Sequence, residues 1–457
     1  MRSRGSLLAW SVAIFAAASV CATQGCATAG DSENSEFKEL TATAADAAVP
    51  RFDHPGLAAC TNLQCQQVSC GTARPKTTVS GVVFDPAGRQ PLYGALVYVP
   101  NAPLAPLAHG TTCDRCGTIS SGDPIVTALT DTKGRFTLTD VPAGDAIPLV
   151  VQIGKWRRQV ALPHVSACKD NPVDKDLTRL PRNQREGEMP LIALSTGCDP
   201  MECLFRKIGI DDSEFTDGEG RGRVHLYRGN RGGGVPASTS SYALWPNIER
   251  LKTYDIVINA CECAPYPRGE DSIAAMHDFL DAGGRFFGSH FHYNWFTENV
   301  EFQEVAEWTP HGVCNDGPNR IDDTFPKGRA FAEWLMVSGA SERYGEIPLT
   351  CAPKDLASTK RTRSQRWIYD GPSGSPSYVS FNTPVTAPAE AQCGRAVFAD
   401  LHVSRADQGL DIPGQPFPSG CMSTEMSPQE KALEFMFFDL SSCIRKDSDT
   451  PEAPPPK

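Results

Sequence analysis

A chain of 457 residues, 40% of them hydrophobic, holds enough apolar material for roughly two or three packed domains. Its net charge of −11 repels phosphate backbones, and no basic, aromatic-laced patch interrupts that acidity, so nucleic acid is excluded as a partner. Its 17 cysteines are far more than a reducing cytosol tolerates.

The first element is a targeting segment. Arg2 and Arg4 give a positive start, and residues 7–20 form an apolar run too short to span a bilayer. Residues 1–26 therefore read as a signal peptide, with two exits. Thr23-Gln24-Gly25-Cys26 is a degenerate bacterial lipobox, in which a small residue precedes the cysteine to be acylated; Ala27-Thr28-Ala29 would suit an ordinary peptidase cut. The lipobox is the preferred exit. It makes Cys26 the lipidation site and the membrane a partner through that anchor, at the outer membrane or cell surface; otherwise the chain is periplasmic or secreted. No later segment reaches the ~18 apolar residues of a membrane helix.

Residues 27–76 begin Ala/Thr/Asp-rich and end cysteine-studded, a disordered tether leading into a small knot. Cys60, Cys65 and Cys70, the pair Cys113 and Cys116, and the pair Cys198 and Cys203 are close in sequence and read as disulfide staples of local loops. Zinc is the rival for Cys113-Asp114-Arg115-Cys116, but no second C-x-x-C lies at finger spacing. Without Cys21 and Cys26, 15 cysteines remain, and an odd number leaves one thiol free.

From residue 79 the pattern becomes short strands. Residues 79–84 are β-branched and run into Asp85-Pro86-Ala87-Gly88, a type I turn sequence. Residues 95–99 follow as a strand. Asp131-Thr132-Lys133-Gly134 repeats the turn and opens Arg135-Phe136-Thr137-Leu138-Thr139, whose alternation buries one face. With residues 148–153 these make a small all-β sandwich. The two turn motifs, with Val141-Pro142-Ala143-Gly144, resemble the carboxypeptidase regulatory-like domain over residues 77–165, apart from an insert at about 101–121. That resemblance implies a transthyretin-like, non-catalytic module.

Residues 166–188 end in a charged stretch flanked by prolines and read as a linker; residues 189–445 then alternate strand and helix. Strands are expected at 190–196, 223–227, 254–261, 284–288 and 395–403. A helix starts at Asp199-Pro200-Met201-Glu202, with Asp199 as N-cap. Others cover 272–281, end near Gly339, and begin at the capping box Ser427-Pro428-Gln429-Glu430. This implies a mostly parallel sheet covered on both faces. The proline-rich residues 446–457 are expected to be disordered. Gly218-Glu219-Gly220-Arg221-Gly222 lacks the lysine of a P-loop and precedes a strand, so no nucleotide is expected.

The strand at 284–288 leads into Gly288-Ser289-His290-Phe291-His292, at the sheet edge where such folds bind ligands. A later strand ends Leu401-His402-Val403-Ser404. These residues resemble the class I glutamine amidotransferase-like superfamily, within it the ThuA-like branch. The resemblance implies a flavodoxin-like, three-layer α/β domain, so the whole chain is multidomain: a sandwich followed by that fold. His290 stands at the family's nucleophilic cysteine, His402 matches its histidine and Ser404 replaces its glutamate. Glutamine hydrolysis needs an activated thiolate there, so that activity is not expected.

Read without the family, His290, His292 and His402 could form a three-imidazole metal site with an open position, zinc being the natural occupant, although no cofactor is required. Equally, they could bind an organic ligand or cap strand ends. Cys261-Glu262-Cys263 ends a neighbouring strand, where the cysteines are expected in disulfides and Glu262 is the candidate base. Tyr293, Asn294 and Trp295 offer stacking and amide groups that suit a glycan or peptidoglycan fragment; the alternative is packing under a loop. The expected function is a non-catalytic, exported ligand-binding or structural module. The competing expectation is a metal-dependent hydrolase with Glu262 as base.

Overall fold

The computed structural model describes residues 60–456 except 119, 236–237, 311, 361, 404–417, 419 and 422–424. The expected signal peptide with Cys26, the expected tether to residue 59, and Ser404 lie outside the described residues.

β-Branched runs separated by Gly and Asp turns give seven strands in the N-terminal part: β1 (Thr78–Val82), β2 (Leu96–Pro100), β3 (Pro124–Leu129), β4 (Arg135–Thr139), β5 (Gly144–Ile153), β6 (Trp156–Val165) and β7 (Asp170–Pro172). They form two small sheets, ordered β4-β1-β7 and β3-β2-β5-β6. Phe136 and Leu138 of β4 point inward while Arg135, Thr137 and Thr139 are exposed, as the alternation predicts. Val79, Val97, Val99, Leu149 and Val151 join them in one apolar cluster. The stretch 166–188 is more than a linker. It supplies β7, which pairs with β1, and Glu188, which exchanges backbone hydrogen bonds with Arg157 and forms an ion pair with its side chain.

The hairpin joining β5 and β6 turns at Gly154, with φ +52°, against the end of the last helix. A Cβ there would lie 1.8 Å from the Ser441 carbonyl oxygen. Gly154→Ala is therefore expected to cost about 2 kcal/mol or more, read as a lower urea midpoint at unchanged m-value.

The second part is built on β8 (Ile192–Thr196), β9 (Phe215–Thr216), β10 (Val224–Arg228), β11 (Ile256–Asn259), β12 (Arg285–Ser289), β13 (Ala306–Trp308), β14 (Asn315–Ile321), β15 (Glu346–Ala352), β16 (Leu356–Thr359), β17 (Gln365–Asp370), β18 (Pro376–Thr383) and β19 (Gly394–Ala399). Ten of these form one sheet, ordered β15-β14-β17-β18-β19-β12-β11-β8-β10-β9. The long parallel strands β8, β10, β11, β12 and β19 stand in the order 2-1-3-4-5 of a flavodoxin-like sheet. Side chains alternate between its faces. Ile192, Leu194, Ile256, Ile258 and Val397 enter one apolar cluster with helices Met201–Ile208, Pro326–Val337 and Pro428–Ser441. Ala193, Val257, Phe286 and Ala396 enter another with helix Glu270–Asp281.

Three expectations need correction. The sheet is parallel only in part, because β14, β15, β17 and β18 extend it antiparallel beyond β19. The tail is ordered over its described residues: the largely covered Asp447 carboxylate lies 2.9 Å from Arg395 and 3.4 Å from Lys327, and Thr127 Oγ1 donates to the Pro454 carbonyl at 2.6 Å. Arg395, buried in β19, needs that counter-charge. Finally, the cysteines are mostly long-range ties. Cys60–Cys65 is a local staple, but Cys70 pairs with Cys168, Cys113 with Cys393, Cys116 with Cys443, Cys198 with Cys263 and Cys203 with Cys421, beside Cys314–Cys351. Among the described residues the remaining thiol is Cys261. Among the described residues no helix is long and apolar enough to cross a membrane.

Candidate functional site

Four parallel strands deliver polar residues to their carboxyl edge, around the point where the strand order reverses between β8 and β11. Asp199 follows β8, Cys261 follows β11, His290 follows β12, and Asp400 and His402 follow β19. Gly197 lets the loop after β8 press against the loop after β11, since a Cβ there would lie 2.2 Å from the Cys261 carbonyl oxygen. His290 takes the turn out of β12 with φ +45°, a left-handed conformation that a bulky side chain rarely adopts.

One donor atom each from Cys261, His290 and His402 lies within 4.8 Å of the others, an arrangement that can hold a metal ion. The Cys261 sulfur is 3.5 Å from His290 Nδ1. Two ligands of one tetrahedral zinc, with bonds of 2.3 Å to sulfur and 2.0–2.1 Å to nitrogen, stand about 3.6 Å apart. The imidazoles of His290 and His402 are nearly perpendicular, their centres 5.1 Å apart.

Each imidazole is backed by a buried carboxylate. His290 Nε2 is 3.7 Å from Asp355, in the loop between β15 and β16, and His402 Nδ1 is 3.5 Å from Asp199. Asp199 also accepts the Val403 N–H at 2.8 Å, and Gln429 Nε2 donates to the His402 carbonyl at 2.6 Å, so the His402 loop is held from both sides. The Asp355 N–H reaches Asp400 at 3.3 Å; burial, then the Asp355 charge, holds the Asp400 carboxyl well above its ordinary range. Burial, helped by Asp199, pushes the Cys261 thiol up to about 12. Burial, with His402 adding to it, takes His290 down to about 3, so its ring is neutral.

The other candidates lie elsewhere. His292 is not part of the cluster: it is wholly buried, Nε2 donates to the Ala260 carbonyl at 2.8 Å, and Nδ1 accepts from Trp295 at 3.0 Å and Arg268 at 3.1 Å. Glu262 is also wholly buried, in an ion pair with Arg268 at 2.8 Å, and accepts the Asn230 N–H at 2.7 Å. A carboxylate so engaged is a brace rather than a free base. Tyr293, Asn294 and Trp295 are buried too; Trp295 packs edge-on against Trp245 and Phe286, and Asn294 donates to the Tyr266 carbonyl. They present no open stacking surface for a sugar.

Sequence reasoning missed the free thiol's identity, although the odd cysteine count announced that one existed. Asp199 was expected as a helix N-cap; the helix begins at Met201 with Pro200 as cap, and the carboxylate turns to His402 instead. Asp355 carries no motif at all.

The sequence matches no family model and no curated protein. Among solved structures, a ThuA-like protein from Bacteroides uniformis is 10% identical, covers 57% of this chain and 92% of its own, and has a TM-score of 0.30. A ThuA-like protein from Parabacteroides merdae gives 11%, 57%, 96% and 0.30. The mmIFT52 N-terminal domain gives 9%, 55%, 97% and 0.32. Likenesses this loose assign no family, so the chemistry has to follow from the side chains themselves.

Proposed function

We propose that this chain is an exported metalloprotein whose α/β part binds one zinc-like ion through Cys261, His290 and His402, as a metal-dependent hydrolase centre. One observation carries the reading: in a chain whose other 14 described cysteines are all in disulfides, the single thiol sits within ligand reach of two imidazoles. Nε2 of His290 and Nδ1 of His402 face Asp355 and Asp199, as in the carboxylate–histidine arrangement that orients metal ligands. A thiolate and two imidazoles suit zinc or copper better than magnesium or calcium. Three protein ligands leave a position for water or substrate, where a bound metal supplies Lewis acidity and an acidic water. The His290 and His402 side chains stay partly exposed, at 12% and 20%.

Cys261, His290 and Asp355 also lie in the order of a nucleophile, base and acid. A thiol 1% exposed and raised to about 12 has almost no thiolate near neutrality, which favours ligation over attack. In this reading the N-terminal sheets are a transthyretin-like, carboxypeptidase regulatory-like spacer. Cys26 anchors the chain to the envelope membrane, and membrane association that survived Cys26→Ser unchanged would remove the anchor. A glycan-binding role draws no support from the packed Tyr293, Asn294 and Trp295.

Calorimetric titration of chelator-treated protein with zinc tests the centre. One ion per chain is expected, with Cys261→Ser and His402→Ala abolishing binding and Asp199→Asn weakening it about 10–100-fold. The Cys261 proton must leave while neutral His290 has none to give, so affinity should rise about tenfold per pH unit between pH 7 and 9. Absence of stoichiometric zinc or copper uptake by the wild type would end this reading.

A further inference from the structure

The two parts of the chain meet at a pair of buried acids that are not among the proposed metal ligands. Asp85, in the Asp85-Pro86-Ala87-Gly88 turn after β1, and Glu434, on helix Pro428–Ser441, are both 0% exposed. Their carboxyl groups lie close enough to interact, so that a proton on one could bridge to the other. Asp85 Oδ1 accepts the Arg89 N–H at 2.7 Å, but no N–H donor among the described residues reaches Asp85 Oδ2 or either Glu434 oxygen. The cations around the pair are engaged elsewhere. Lys431 donates to the Ser338 carbonyl at 2.6 Å, Lys207 pairs with Glu430 at 2.6 Å, and Arg179 pairs with Glu186 at 2.6 Å.

The same turn is docked by its neighbours. The Ala87 N–H donates to the Ile208 carbonyl at 2.8 Å, and Trp334 Nε1 donates to the Pro91 carbonyl at 2.6 Å. Two carboxylates in such a place cannot both be charged, whereas a carboxylic acid and its partner make a strong hydrogen bond.

We propose that Asp85 and Glu434 form a proton-bridged clasp that docks the N-terminal sheets onto the C-terminal helix and loosens as the bridging proton is lost. Burial raises Asp85 to about 6, and burial together with the Asp85 charge raises Glu434 well above its ordinary range. Both acids therefore hold protons to higher pH in the folded chain than in the unfolded one. The clasp contributes fully below about pH 4, the unfolded carboxyl range, and its contribution falls as pH rises through the folded values. Cys113–Cys393 and Cys116–Cys443 still join the two parts, so the opening is local.

Glu434→Gln and Asp85→Asn each replace the bridging proton with an amide donor that does not titrate. Amide exchange, corrected for intrinsic rates, should show protection of the Ala87 N–H falling at least tenfold between pH 5.5 and 8.5 in the wild type. It should stay constant in Glu434→Gln, with the amides of β11 and β12 unchanged in both. The melting midpoint of Glu434→Gln should exceed the wild type by about 3 °C or more at pH 8.5 and match it at pH 5. Asp85→Asn gives the same comparison independently. A pH-independent difference between wild type and variants, or unaltered Ala87 protection in the wild type, would overturn the clasp.

Discussion

Arg268→Ala should destabilise the chain by about 3–5 kcal/mol, one of the two largest effects expected of any change near the site. The guanidinium is fully buried against Glu262, which is also fully buried; it donates to His292 Nδ1 at 3.1 Å and lies 4.8 Å from the Trp245 ring centre and 5.4 Å from that of Trp295. Removing it strands the Glu262 charge in the buried interior, takes from His292 Nδ1 one of its two donors while Trp295 keeps the other, and empties the space between two indoles. Glu262→Gln leaves the opposite charge stranded and should cost a similar amount. The pair Glu262→Gln with Arg268→Met removes both charges and should recover much of the loss. Urea unfolding of the four proteins measures this. It also separates roles, because zinc affinity measured on the folded fraction should change little when Glu262 is replaced. A strict loss of zinc-dependent hydrolysis at unchanged stability would restore Glu262 as a base.

The elements most legible in the sequence were those encoded by neighbours along the chain. The capping box at Ser427 and Glu430 is present as read, and Gly283, with φ +105°, follows the end of helix Glu270–Asp281. β8 and β11 lie within the apolar runs that suggested them, and β12 and β19 overlap theirs to within one residue. β14, reading Asn-Asp-Gly-Pro-Asn-Arg-Ile, has the composition of a loop and is a strand because β15 and β17 pair with it. The site shows the same division. His290 and His402 were found because strand ends at a sheet's carboxyl edge carry function. His292, two residues from His290, was grouped with it by spacing alone. The turn after Ser289 winds into a short helix and sends that ring toward Ala260 and Trp295 instead. Asp355 is 45 residues from Asp400 and was invisible because only the folded chain brings them together.

The second large effect belongs to the pair of disulfides that tie the insert near residue 113 to the α/β part. Cys113–Cys393 spans 280 residues and Cys116–Cys443 spans 327, so each looks able to remove a great deal of unfolded-state entropy. They interleave and share most of their span, however. With either bond intact, the other closes a residual loop from Cys113 to Cys116 and from Cys393 to Cys443, about 53 residues, worth about 4 kcal/mol by loop entropy. Serine replacement of one pair should therefore cost about 4 kcal/mol. Replacing the second opens a longer loop, limited now by Cys203–Cys421, and should cost roughly 5 kcal/mol more. The sum is comparable to the whole stability of an ordinary domain. Each single-pair variant should fold with a depressed melting temperature, whereas the variant lacking both should lose the docking of the N-terminal sheets at 37 °C. Calorimetry and limited proteolysis of the three variants check this. Two small and equal losses that merely add would mean that the unfolded chain is already held together by its other bridges.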